Sequence, residues 1–121
     1  MQKLTKAEEE IMYHIWALGR CTVSDVIKKL GDPKPPHSTI SSIFRILEKK
    51  HFLGHKAYGR TYEYFPVIEK KDYSKSSLKN IVTNYFDGSV NKMISFLVEE
   101  DDLSLKDLGE IMEKLKNIKD D

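Results

Sequence analysis

Leu4, Ala7, Ile11, Ile15 and Leu18 recur every three or four residues, with Met12 and Trp16 beside the stripe. That is the spacing of one apolar helix face. Thr5 and Glu8 form a T-x-x-E capping box ahead of it, and Gly19 supplies a stop, so a helix is predicted over about 6–18. Thr22 and Asp25 repeat the cap. Val23, Val26, Ile27 and Leu30 line a second helix that Gly31 ends. Asp32-Pro33-Lys34-Pro35-Pro36 must then be a turn, because prolines so close together cannot continue a helix. A third helix follows over about 37–50. Its inward stripe is Ile40, Ile43, Phe44 and Leu47. Its outward face carries Ser38, Ser41, Ser42, Arg45 and Lys49.

From Leu53 the period changes to two. Leu53–Tyr58 and Thr61–Phe65 read as strands around Gly59-Arg60, with Tyr62 and Tyr64 alternating as on a half-buried strand. Pro66 closes the second. Three short helices followed by a hairpin make a winged helix-turn-helix. The helical period then returns. Leu78, Ile81, Val82, Tyr85 and Phe86 make one stripe, Val90, Met93, Ile94, Leu97 and Val98 the next. Asp87-Gly88-Ser89 separates them. Leu105, Leu108, Ile111, Met112 and Leu115 form a third stripe after Ser104. Three amphipathic helices in so short a stretch make a meagre core, so these faces call for a partner, most simply a second copy of the chain. The expected fold is mainly α with a small β-hairpin: a winged helix-turn-helix over 1–68, then a helical dimerisation domain over 69–121.

Charge separates the same halves. Residues 1–68 hold 11 Lys/Arg against 7 Asp/Glu, and residues 69–121 hold 9 against 12. The basic half is the one suited to a polyanion. No apolar run nears the ~18 residues needed to span a bilayer. No apolar leader begins the chain, so a cytoplasmic protein without direct membrane binding is expected. Cys21 is the single cysteine and fits a reducing compartment. It reads either as a small buried hydrophobe or as a redox sensor. His14, His37, His51 and His55 have no metal-ligand spacing with it. There is no glycine-rich phosphate loop, and Glu99-Glu100-Asp101-Asp102 reads as a solvated turn. No enzyme site can be assembled, and no metal or cofactor is expected.

The winged helix supplies a chemistry instead. A helix-turn-helix lays its second helix in the major groove, with the N-terminal residues meeting base edges. Here those residues are His37, Ser38, Ser41 and Ser42, with Arg45 one turn on. The hydroxyls are short and both donate and accept, and the arginine can reach guanine or phosphate. Thr39 at the helix N-terminus, Lys49 and Lys50 at its end, and Lys56, Tyr58 and Arg60 on the wing are the phosphate candidates. The expected partner is double-stranded operator DNA. The competing reading is a winged-helix protein-interaction module with no DNA role.

Several segments together resemble the penicillinase repressor family, which includes the beta-lactamase and methicillin-resistance repressors. They are Leu4-Thr5-Lys6-Ala7-Glu8 leading to Ile15-Trp16, Pro35-Pro36-His37-Ser38-Thr39-Ile40, Arg45-Ile46-Leu47-Glu48-Lys49-Lys50, and the wing run Gly59–Pro66. Phe86-Asp87-Gly88-Ser89-Val90 and Glu100-Asp101-Asp102-Leu103-Ser104 extend the likeness over almost the whole chain. The resemblance implies a homodimeric repressor acting at palindromic operators and dimerising through its C-terminal helices. It also implies a sensor-protease pathway that inactivates the repressor by cutting early in the dimerisation domain. The corresponding bond is Ser95-Phe96. Those relatives carry Asn-Phe there, and Ser95 departs from that pattern. Copper-responsive relatives carry a C-terminal cysteine cluster, which this chain lacks.

Overall fold

The computed structural model describes residues 1–100 and 104–119, without the side chains of 112 and 115–119. The expected dimer contacts Met112 and Leu115, and Asp101 and Asp102 of the expected turn, therefore lie outside the described side chains. The order is α1 (Lys6–Leu18), α2 (Val23–Lys29), α3 (His37–Lys49), β1 (Leu53–Tyr58), β2 (Thr61–Pro66), α4 (Lys70–Tyr85), α5 (Val90–Glu99) and α6 (Leu105–Lys119). The chain divides into two compact units, 1–76 and 77–121.

The first unit is a winged helix. The starts of α1 and α2 are those the capping residues foretell. Thr5 Oγ1 accepts from the Glu8 N–H at 3.2 Å, and Glu8 Oε1 accepts from the Thr5 N–H at 3.0 Å. Thr22 and Asp25 repeat the exchange at 3.2 and 2.9 Å. Each box satisfies two backbone donors that a helix start leaves open. The end of α3 has no glycine. His51 takes the left-handed conformation instead, at φ 67°. The Phe52 N–H then bonds Leu47 O at 2.9 Å and the His51 N–H bonds Glu48 O at 3.0 Å, a Schellman closure. It turns the chain so that Phe52, fully buried, enters the core.

Ile11, Met12 and Ile15 of α1, Val26 of α2, and Ile40, Phe44 and Leu47 of α3 close around Phe52, Leu53 and Tyr64. The hairpin pairs Leu53 with Pro66 through Tyr58 with Thr61. Gly54 stands opposite Phe65, and a Cβ there would meet the Phe65 ring at 2.8 Å, so the aromatic ring occupies the space that a side chain would take. Cys21 adds an isolated bridge beside the hairpin. Its N–H bonds Tyr64 O at 3.0 Å, and the Tyr64 N–H bonds Cys21 O at 2.7 Å.

The first unit reaches past residue 68 into α4, which begins at Lys70, ahead of the stripe that opens at Leu78. Tyr73 is buried, its ring against Trp16 and edge-on to Phe52. Its hydroxyl donates to Glu9, and Trp16 Nε1 donates to Ile68 O at 2.9 Å. The α4 start carries lysines, serines and one tyrosine, too few apolar residues for periodicity to reveal.

Two outcomes follow. Tyr73→Ala removes a ring from a closed core and should cost about 3 kcal/mol in urea denaturation, and a fragment ending at 68 should unfold earlier than one ending at 76. Hydrogen bonds from Tyr73 and Tyr13 hold the Glu9 carboxyl below its ordinary value of 4.5. A depressed carboxyl stabilises the fold above its unfolded value and loses that contribution as pH falls through its folded value. Stability should therefore decline below about pH 4.5, and less steeply in the double variant Tyr13→Phe/Tyr73→Phe. An unchanged acid limb would show that Glu9 is not coupled to folding.

Candidate nucleic-acid interface

α3 buries one stripe and leaves the other free. Ile40, Phe44 and Leu47 are buried, Ile43 half-buried. His37, Ser38, Thr39, Ser42, Arg45 and Lys49 are exposed, and Ser41 is half-buried. Arg45 Nη2 donates to Ser41 Oγ at 3.3 Å, and Ser42 Oγ donates to Ser38 O at 2.9 Å. Ser42 thereby spends its hydroxyl proton within the helix and turns only acceptor capacity outward.

The hairpin brings its tip to the start of α3. Arg60, Thr61, Tyr62 and Tyr64 share a cleft of about 250 Å³ with His37 and Ser41 of α3 and with Thr22, Val23 and Ser24 at the start of α2. His37, Ser41 and Arg60, expected as site residues, thus lie together. Lys56 lies elsewhere: in the register it faces Glu63, on the hairpin side opposite His55 and Tyr62. Its ammonium sits over the Tyr58 ring, 5.5 Å from the centroid. Glu63 also meets Arg20 at 3.5 Å.

Lys50 is engaged inside the unit. Its Nζ donates to Glu8 Oε1 at 2.5 Å and to Lys3 O at 3.1 Å. Burial alone would raise the Glu8 pKa, but the Lys50 hydrogen bond and charge, with the Thr5 cap, bring it below the ordinary value. Breaking a pair this enclosed would leave a carboxylate without its cation.

Four further residues at this face were not among the expected DNA contacts. Tyr62 and Ile46 are exposed aromatic and aliphatic side chains. His55 and Glu48 pair through Nδ1 and Oε2. Exposed large apolar groups on a recognition helix or wing are visible only once the core has been assigned.

Cys21 is a buried hydrophobe. Burial, with the Asp25 and Glu63 charges, pushes its thiol up to about 11. Among the described residues no group of three or more His, Cys, Asp or Glu could hold a metal ion. Nor is any described helix long and apolar enough to cross a membrane.

The second unit is apolar on its surface. Tyr85 is 77% and Leu105 76% exposed, and Leu78, Ile81, Val90, Phe96 and Ile111 are exposed too. Phe86, Met93, Ile94, Leu97, Val98 and Leu108 are half-buried. Val82 is already buried within the single chain. A groove of about 810 Å³ runs between α4 and α5, with Ile81, Tyr85, Phe86, Ser95 and Phe96 among its lining. The Ser95-Phe96 bond is inside α5.

A model of the penicillinase repressor family matches residues 4–117. The penicillinase repressor of Bacillus licheniformis is 31% identical over 121 residues, spanning 97% of this chain and 94% of its own. The methicillin resistance regulatory protein MecI of Staphylococcus aureus (strain N315) is 26% identical over 117 residues, spanning 96% of this chain and 92% of its own. The solution structure of the DNA binding domain of the repressor BlaI matches with a TM-score of 0.51 at 34% identity, over 60% of this chain and 94% of that one.

A thiol at about 11 is almost wholly protonated near neutral pH, and the thiolate is the nucleophile. Folded protein at pH 8 should therefore leave Cys21 unreacted with Ellman's reagent, with full reaction only in denaturant. Rapid labelling of the native protein would restore the redox-sensor reading.

Proposed function

The chain belongs to the penicillinase repressor family, and on that premise we propose that it is a homodimeric repressor of transcription that holds palindromic operator DNA with two copies of its winged helix. It is a repressor rather than an enzyme, and it acts in the cytoplasm, where its operators are. The observation that carries this reading is the cleft where His37 and Ser41 meet Arg60, Thr61 and Tyr62. A helix of about 20 Å with a short-side-chain face fits a major groove about 12 Å wide. The wing tip beside it supplies the cation that a flanking phosphate needs.

His37, Ser38, Ser41, Ser42 and Arg45 read base edges. Thr39, Lys49, Lys56, Tyr58 and Arg60 contact phosphates. Lys50 is left out of that set, because its ammonium already serves Glu8. One winged helix makes few contacts. Two on a two-fold axis present recognition helices to half-sites one helical turn apart, about 34–36 Å, or a multiple of it. The second binding event becomes intramolecular, and avidity can exceed single-site affinity by about 10²–10⁴.

The second unit supplies the two-fold axis. Its exposed Leu78, Ile81, Tyr85, Val90 and Phe96, continued by Met93, Ile94 and Leu97, form the surface that a second copy covers. Induction is by a sensor-protease pathway that cuts Ser95-Phe96. A protease binds its substrate extended, so α5 must unwind first. Cutting there divides the paired helices and removes avidity without touching a DNA contact.

Ser41→Ala and Arg45→Ala should each cost about 1–3 kcal/mol on the operator and less on random duplex. Arg60→Ala should weaken both alike and reduce the log–log salt slope by about 1. Equal losses on both DNAs for Ser41 and Arg45, with no change of slope for Arg60, would remove this face from the interface. Leu97→Asp buries a charge between the copies. It should yield a monomer by sedimentation and lose operator binding at physiological salt, while circular dichroism still reports the winged helix. A monomeric variant that binds the operator as tightly as the parent would refute the dimer mechanism.

A further inference from the structure

Glu48 is an odd residue for its place. It stands in the last turn of α3, where the open carbonyls favour cations over carboxylates. It also stands on the helix that the proposed function lays against a polyanion. Neither local electrostatics nor DNA binding favours an acid there, so a tertiary contact must account for it.

That contact is His55 of β1. Its Nδ1 lies 2.5 Å from Glu48 Oε2. The imidazole stacks on Tyr62 of β2, ring centroids 4.4 Å apart and planes 16° from parallel. Tyr62 in turn lines the cleft shared by Arg60 and the α3 residues His37 and Ser41. A continuous chain of contacts thus runs from the end of the recognition helix, through the hairpin, to the wing tip. The two side chains of the pair are 33% and 32% exposed, so solvent screens their attraction. What the pair supplies is chiefly direction.

A two-stranded hairpin twists freely and is marginally stable alone. Tyr64 anchors its base against Phe44, and nothing so buried lies further out, since Lys56 to Tyr62 are all exposed.

We propose that Glu48, His55 and Tyr62 form a strap that sets the wing's angle to the recognition helix, and that Glu48 and His55 are positioning residues for DNA binding. This inference rests on the DNA-binding reading above.

The two roles open to Glu48 have opposite signs. If it is only a negative charge near phosphates, Glu48→Ala should tighten binding to every DNA. If it positions the wing, Glu48→Ala should weaken operator binding by about tenfold despite the lost negative charge. Glu48→Gln, which keeps an oxygen for His55, should restore most of the loss. His55→Ala combined with Arg60→Ala should cost less than the sum of the two single changes, because an unstrapped wing already wastes Arg60. The full-length protein is titrated with an operator duplex selected from a random pool, and separately with random duplex. Amide exchange of the DNA-free protein is read across 56–61, where Glu48→Ala and His55→Ala should both speed exchange. Tighter binding of Glu48→Ala to both duplexes, with hairpin exchange unchanged, overturns the proposal. If the parent protein binds no DNA in a salt-dependent way, the DNA reading falls instead, and faster hairpin exchange in the variants then supports the strap as a structural device alone.

Discussion

Phe44 and Tyr64 meet edge to face, ring centroids 4.9 Å apart and planes 69° from parallel. One ring comes from the inward stripe of α3 and the other from β2, so this contact ties α3 to the wing. It also sets which side of α3 remains outside. With Ile40, Phe44 and Leu47 inward, the helical period leaves Ser38, Ser42, Arg45 and Lys49 no place except the surface. Tyr64 is held by its backbone as well, through the paired bonds to Cys21. The interface is therefore built outward from a buried aromatic pair. Packing decides which polar groups face outward, and contacts such as Arg45 with Ser41 and Glu48 with His55 then orient them.

Charge in the first unit is divided between two tasks. Glu8 with Lys50 and Glu9 with Tyr73 join α1 to the end of α3 and to the start of α4. These groups hold the fold and are buried or half-buried. Arg45, Lys49, Lys56 and Arg60 are exposed and are free to exchange counterions for phosphates. The balance of charge over the first half thus overstates the cations open to DNA, since Lys50, half-buried and paired with Glu8, counts in the sum but is engaged within the fold. The second unit shows the same division in apolar groups. Val82 is sealed within one chain, whereas Tyr85, Leu105 and Leu78 face outward.

Helix starts, the hairpin and the inward stripe of α3 were legible because they depend on neighbours a few residues away. Thr5 with Glu8, Thr22 with Asp25, and the change of period at Leu53 each carry their own local chemistry. The order of three helices and a hairpin also names positions on α3 and the wing, His37, Ser41 and Arg60 among them, that share one cleft in the folded chain. The start of α4 was not legible, because Tyr73 is a single apolar residue among lysines and serines and its partners Trp16 and Phe52 are remote in sequence. Nor was the end of α3, where His51 does what a glycine usually does. Lys50 looked like a phosphate ligand beside Lys49, and only folding shows Glu8 within reach. His55 and Glu48 are ordinary surface residues until the hairpin folds back on α3. Periodicity encodes which face a residue takes on its own element. Which distant group then satisfies its charge, ring or hydroxyl follows only when the elements pack.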